Sequence, residues 1–379
     1  MTADLAARIG VALVGAAMIA ATLASAVRTT VLPRGYPSRI GRAVFLGLRF
    51  VFRVSLGRMP AYERRDRVMA LYAPLGLLLL LLVWLALIVV GFAALYWALG
   101  GVTALEALRL SGSSITTLGT ARAREAPATF LTDAEAAIGL ILLALLITYL
   151  PSIYAAFSRR ERRVSALEIR AGSPPSGYEL LTRFWVLGRM DKLADLWERW
   201  EDWFVELEES HTSFPALTFF RSPQPDHSWV TAAGAVLDGA SLLASTIDLE
   251  HDVQTEFTIR AGYIALRRIA TFFQIPFDPD PSPDDPISIT RAEYDAVCER
   301  LQQVGIPLKQ GRDQTWRDFA GWRVNYDAVL LGLANLTIAP DAPWSSDRSG
   351  GRAFRPPIFR QGGRPVGGRR ERQDLDDRR

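Results

Sequence analysis

The sequence predicts an all-α membrane protein: three transmembrane helices, a re-entrant loop between the last two, and a helical cytoplasmic domain. Three observations carry that expectation. Apolar residues gather in the first 157 positions, although the 379-residue chain has 22% charged residues and a mean hydropathy of only +0.12. Three segments there are each long enough to cross a hydrocarbon core of roughly 30 Å as a helix. Arginine clusters flank these segments on one consistent side, as cytoplasmic loops do. The length allows two or more folding units. The expected parts are residues 1–70 (first helix and a basic interfacial helix), 71–157 (a two-span module), 158–344 (the cytoplasmic helices) and 345–379 (a disordered basic tail).

The first span covers about residues 9–27. Its Ala24-Ser25-Ala26 ending also fits a signal-peptide cleavage site. Little positive charge precedes it, however, and arginines follow it, so a retained span is the preferred reading. Between Arg28 and Arg67 lie ten arginines against Glu63 and Asp66, which marks a cytoplasmic loop. Within that loop, residues 40–56 are apolar except for Arg42, Arg49 and Arg53, spaced to share one helical face. An amphipathic helix lying in the interface is expected, because three arginines would make a fourth span costly.

Residues 71–99 hold no charge and form the strongest span, with Trp84, Tyr96 and Trp97 as aromatic side chains and the last two placed for an interface. Residues 136–157 form the third span, with Thr132-Asp133-Ala134-Glu135 ahead of it as a capping box. Gly139 and Pro151 suggest a flexible point and a kink. Arg159, Arg160, Arg162 and Arg163 follow, again a cytoplasmic signature. The two basic clusters flank an even number of spans, so the N-terminus is expected outside and the C-terminal part in the cytoplasm of a multi-pass plasma-membrane protein.

Between the second and third spans, Thr103 with Glu106 reads as the cap of a short helix over residues 103–110. The stretch Ser111-Gly-Ser-Ser-Ile-Thr-Thr-Leu-Gly-Thr120 then carries neither charge nor proline. Serine, glycine and threonine are common in any loop, so a plain extracellular loop is the alternative. Irregular backbone at membrane depth is tolerated where it lines a watery cavity, and its carbonyls can replace a cation's hydration shell.

On these residues the chain resembles the two-span pore module of the potassium channel superfamily. Thr116 and Thr117 match that family's two filter threonines, Leu118 its valine position, Gly119 its first glycine, and Ser111 a serine of its pore helix. The resemblance implies that the carbonyls of Thr117, Leu118, Gly119 and Thr120, with the Thr117 hydroxyl, line an ion-conducting filter whose first residue is Thr116. It also implies a homotetramer, a monovalent cation (K+ by inheritance from the family) as the permeant species, no cofactor, and no enzymatic activity. Thr120 stands at the family's aromatic position, Ala121 at its second glycine and Arg122 at its acidic residue. An alanine held in a left-handed conformation there would cost about 1–2 kcal/mol, so another outer geometry is expected.

The remainder reads as mainly helical. Ser176-Gly-Tyr-Glu179 and Thr290-Arg-Ala-Glu293 are capping boxes, and residues 191–209 carry a wide apolar stripe expected to be core or an oligomer seam. Further helices are expected over 229–246, 253–273, 291–304 and 315–336, with the proline-rich 278–286 run as a surface loop. Its aspartates lack the spacing and glycine of a calcium loop. Cys298 is the only cysteine and excludes an intramolecular disulfide. No glycine-rich nucleotide motif is present. The acid–histidine clusters around His211 and His251 are the sole material for an alternative, a membrane-tethered hydrolase; a second alternative is a membrane-anchored signalling or scaffold protein that conducts nothing. The segment from Phe214 to Trp229, dense in aromatics and prolines, suggests a rigid connection without assigned chemistry. From Ser345 the ten arginines and six glycines predict disorder; such a tail suits anionic lipid heads, and no nucleic acid is expected.

Overall fold

The computed structural model of the chain describes residues 2–32, 38–56, 62–123, 125–250 and 252–347. Among them the regular structure is helical, with no strand beyond an antiparallel bridge between Ile247 and Leu308. Two compact units result. One holds residues 1–162 and 209–225, the other 163–208 and 226 onward.

The first unit contains α1 (Thr2–Thr30), α2 (Arg39–Leu56), α3 (Tyr62–Ala70), α4 (Tyr72–Leu99), α5 (Ala104–Ile115) and most of α6 (Ala126–Ala171). The stretches Asp4–Thr30, Arg64–Leu99 and Ala126–Ala171 are long and apolar enough to cross a membrane. Helix α1 lies against α4 where Gly15 meets Gly91: a Cβ added to Gly15 would stand 2.6 Å from the Gly91 carbonyl oxygen. Small residues permit such close helix approach in a bilayer, where hydrophobic driving force between helices is absent. Trp84 Nε1 donates to Ser25 Oγ at 3.0 Å, so both the mid-span tryptophan and the serine of Ala24-Ser25-Ala26 belong to the interior of the bundle. Helix α2 forms where the amphipathic pattern predicts it. It packs on α4 through Phe45, whose carbonyl accepts from Tyr72 Oη at 2.9 Å, and it leaves Phe50, Val51 and Val54 exposed.

Helix α6 differs from its sequence expectation at both ends. It begins at Ala126, so the Thr132 box lies inside it and caps nothing; Thr132 Oγ1 donates back to the Thr129 carbonyl at 2.7 Å. It also runs unbroken through Pro151 for 46 residues, about 69 Å at the helical rise. Gly139 is required for packing rather than flexibility, since a Cβ there would meet the Ile115 carbonyl oxygen at 2.6 Å.

The aromatic, proline-rich segment after α8 (Leu193–Ser213) returns to this first unit. Phe219 packs edge-on to Tyr72 with ring centroids 5.2 Å apart, Phe214 on Tyr149 at 5.5 Å, and Phe220 near Phe157 at 5.8 Å. Arg221 pairs with Asp66 of α3 at 3.2 Å. The boundary expected at residue 158 is therefore crossed again by the chain, which a linear reading of hydropathy does not reveal.

The second unit is built around α9 (Trp229–Ser245), almost wholly buried. Around it pack α7 (Gly177–Val186), α10 (Val253–Phe272), α12 (Arg312–Arg323) and α13 (Asp327–Thr337), with α11 (Arg291–Gln303) beside α7. Ser176 caps α7, and Thr290 with Glu293 closes the expected capping box on α11. The single helix expected over 315–336 is two. Asn325 interrupts it: its side-chain amide donates to the Gly321 carbonyl at 2.9 Å, and its own carbonyl accepts from Arg267 at 2.8 Å.

Arg323 is fully buried between α9, α12 and α13. It donates to Asp238, to Asp327 at 2.8 Å and to the Trp344 carbonyl at 2.5 Å. Tyr326 Oη adds a bond to Asp238 at 2.9 Å. Burial pushes the Asp238 carboxyl up from its ordinary range, against the opposing pull of Arg323. Ser345 and Ser346 are buried as well, so the folded unit extends past the expected start of the tail; residues 348–379 lie outside the described residues.

Candidate functional site: the hydroxyl-rich loop and its supporting carboxylate

Helix α5 starts as its sequence predicts. Thr103 Oγ1 accepts from the Glu106 N–H at 3.3 Å while Glu106 Oε2 accepts from the Thr103 N–H at 2.7 Å. These bonds hold the Glu106 carboxyl below its ordinary range. The helix does not end at Leu110, however. It continues to Ile115 with Ala107, Leu110, Ser111, Ser113 and Ile115 buried. Ser111 to Ile115 are thus helical, and the irregular part of the stretch begins at Thr116.

All five sequence-predicted filter residues, Thr116, Thr117, Leu118, Gly119 and Thr120, are exposed on one short loop, with Leu118 at 70%. The turn is fixed by backbone bonds from the Thr117 N–H to the Ser114 carbonyl at 2.9 Å and from the Leu118 N–H to the Ser113 carbonyl at 3.0 Å. It places Thr117 at φ +57° and Gly119 at φ +66°. Glycine adopts that region freely; a β-branched residue there is an outlier. Ala121 is not among the residues with positive φ; the left-handed non-glycine backbone of this loop falls on Thr117. Ala121 packs partly into the core, and its N–H donates to Ser113 Oγ at 3.0 Å. Thr120 Oγ1 donates to the same oxygen at 3.2 Å. Ser113 therefore fastens the far side of the loop back onto the helix that precedes it. Arg122 is exposed, and Arg124 lies outside the described residues.

Behind the loop sits Glu135, fully buried although hydropathy places it at the edge of the third span. Ser111 Oγ makes a hydrogen bond to its carboxyl and lies 3.0 Å from the Val89 carbonyl oxygen. Tyr96 Oη donates to the other carboxyl oxygen at 2.9 Å. These contacts join α4, α5 and α6 at one point. Ser114 Oγ donates to the Thr132 carbonyl at 2.5 Å, and Gly139 admits the end of α5 against α6. Sequence reasoning missed Glu135, Tyr96 and Ser113. In the sequence Glu135 reads as the N3 residue of a cap and Tyr96 as an interfacial ring; the available signal is an acid with no basic residue three or four positions away.

His211 is fully buried, with Nε2 3.2 Å from Arg160 Nη1 and Nδ1 3.2 Å from Ser210 Oγ. An arginine only donates, so Nε2 is the acceptor and Nδ1 carries the proton. Arg160 also donates to the carbonyls of Leu217 at 2.9 Å and Phe220 at 2.7 Å, so His211 belongs to the clamp that fixes the aromatic segment. His251 lies outside the described residues. Among the described residues, no group of three His, Cys, Asp or Glu could hold a metal ion. No family model, curated protein or solved structure matches this chain.

Proposed function

We propose that the chain is the subunit of a homotetrameric cation channel of the plasma membrane. Residues 116–120 form its ion pathway, the N-terminus lies outside, and the helical second unit assembles or regulates the pore from the cytoplasm. The observation that carries this reading is Thr117. Backbone strain of this kind costs about 1–3 kcal/mol and clusters at functional sites, where the surroundings over-determine it. Here it falls on the residue that matches the family's second filter threonine, in a loop anchored on both sides by Ser113 and lying between two apolar helices. Four such loops around an axis would present carbonyl oxygens to a dehydrated cation. The permeant ion is monovalent, with K+ the first candidate, and no enzymatic step or cofactor is involved. The basic tail suits anionic lipid headgroups.

A cysteine-accessibility scan tests the loop's setting. Cys298 is buried and burial pushes its thiol up, so the native background is unreactive. Cysteines introduced singly at positions 116–120 should react with small cationic thiol reagents and resist bulky ones. Equal reaction with bulky polar reagents at all five positions would sink the pore reading and favour a solvated loop of a non-conducting membrane anchor.

A further inference from the structure

We infer that Glu135 carries a proton and acts as the positioning residue that holds the loop-bearing helix α5, making the loop responsive to pH. The proton assignment stands on geometry alone; its effect on conduction rests on the channel reading.

Ser111 Oγ touches two oxygens at hydrogen-bond distance, the Val89 carbonyl and a Glu135 carboxyl oxygen. A hydroxyl has one proton, and a carbonyl can only accept. With Glu135 ionised, that proton serves one contact and leaves the other as oxygen facing oxygen. With Glu135 protonated, its O–H donates to Ser111 Oγ, Ser111 donates to Val89, and Tyr96 Oη donates to the second carboxyl oxygen. Three donors then meet three acceptors. An ionised carboxylate here would also be a buried charge without a cation. Among the described residues no Lys, Arg or His pairs with Glu135. The titratable group facing it from α4 is Tyr96. On α5, Glu106 and Arg109 are exposed, and on α6 the nearest acid, Asp133, is exposed too.

Removing the proton breaks the relay. Ser111 must turn its hydrogen to the carboxylate, the Val89 contact loses its bond, and α5 loses a tie to α4 only a few residues from the strained Thr117.

The test uses the full chain in lipid nanodiscs, with an environment-sensitive fluorophore attached through Leu118→Cys and an infrared spectrum of the unlabelled protein. Near neutral pH the infrared spectrum should contain a protonated-carboxyl stretch that Glu135→Gln removes. Fluorophore emission should titrate as pH rises, and the titration should vanish in Glu135→Gln, because glutamine reproduces the protonated donor–acceptor pattern. Ser111→Ala, which keeps Glu135 but removes the hydroxyl that donates to the ionised carboxylate, should move the titration to higher pH, and it serves if the glutamine variant does not fold. A missing carboxyl band, or an identical titration in the glutamine and wild-type proteins, overturns the inference. A protein that conducts with a non-titrating loop keeps the channel reading and loses this one; a titrating loop in a protein that passes no ions does the reverse.

Discussion

At the scale of the residue, Thr117 is the most informative side chain, because its backbone is the one filter-loop conformation that its chemistry disfavours. Its φ of +57° is imposed by two backbone hydrogen bonds to the end of α5. Glycine would occupy that region without steric cost. Thr117→Gly should therefore raise the midpoint of chemical unfolding in detergent by the equivalent of about 1 kcal/mol while it lowers ion flux. A glycine variant that is both less stable and fully conducting would show that the strain serves nothing. Little of this was legible beforehand. Threonine at position 117 is recognisable as a filter match, but its handedness depends on where α5 ends, and the sequence placed that end five residues too early. Serine at 111, 113 and 114 has modest helix propensity and is common in turns; buried and partly buried contacts to Glu135, Ala121 and Thr132 override that local tendency.

At the scale of the element, the contact of α5 with α6 decides where the loop stands. Gly139 faces the Ile115 carbonyl so closely that any side chain must push the helices apart. Gly139→Leu should cost about 1–3 kcal/mol by overpacking, loosen the Ser111–Glu135 contact and reduce flux to background. Amide exchange measured at 113–121 would report the loosening as faster exchange than in wild type; unchanged exchange would contradict it. The spans themselves were legible, since uncharged runs of this length admit few other readings, and so were the caps at Thr103, Ser176 and Thr290. The interior of each element was less so. Glu135 is surrounded in sequence by helix-starting residues, and the two hydroxyls that meet it come from 24 and 39 residues away. The break at Asn325 depends on an arginine 58 residues distant. Long-range partners of this kind leave no local periodicity.

At the scale of the whole molecule, the chain passes between its two units three times, after residues 162, 208 and 225, with α6 and α8 each contributing to both. The second unit is held by buried hydroxyls and charges as well as by apolar packing. Tyr294 is one of these. Its Oη bonds Thr246 and Thr315 at 2.9 Å each, and burial pushes it up from 10.0 to about 12. The folded state thus retains a proton that the unfolded chain releases from about pH 10 upward. Stability from this group is fully present below pH 10 and should fall by about 2–3 kcal/mol as pH rises to 12. Denaturant titrations from pH 9 to 12 should show that decline, and Tyr294→Phe should flatten it; an unchanged slope in the variant would assign the alkaline loss elsewhere.

The proposal that the loop at 116–120 conducts cations is tested most directly by flux. Purified full-length protein in liposomes should pass K+ down an imposed gradient and run as a tetramer by native mass spectrometry. Gly119→Asp should abolish the flux and Thr117→Ala should reduce it, with both proteins still folded and tetrameric. Equal flux in wild type, both variants and empty liposomes would contradict the channel and leave a membrane anchor in its place.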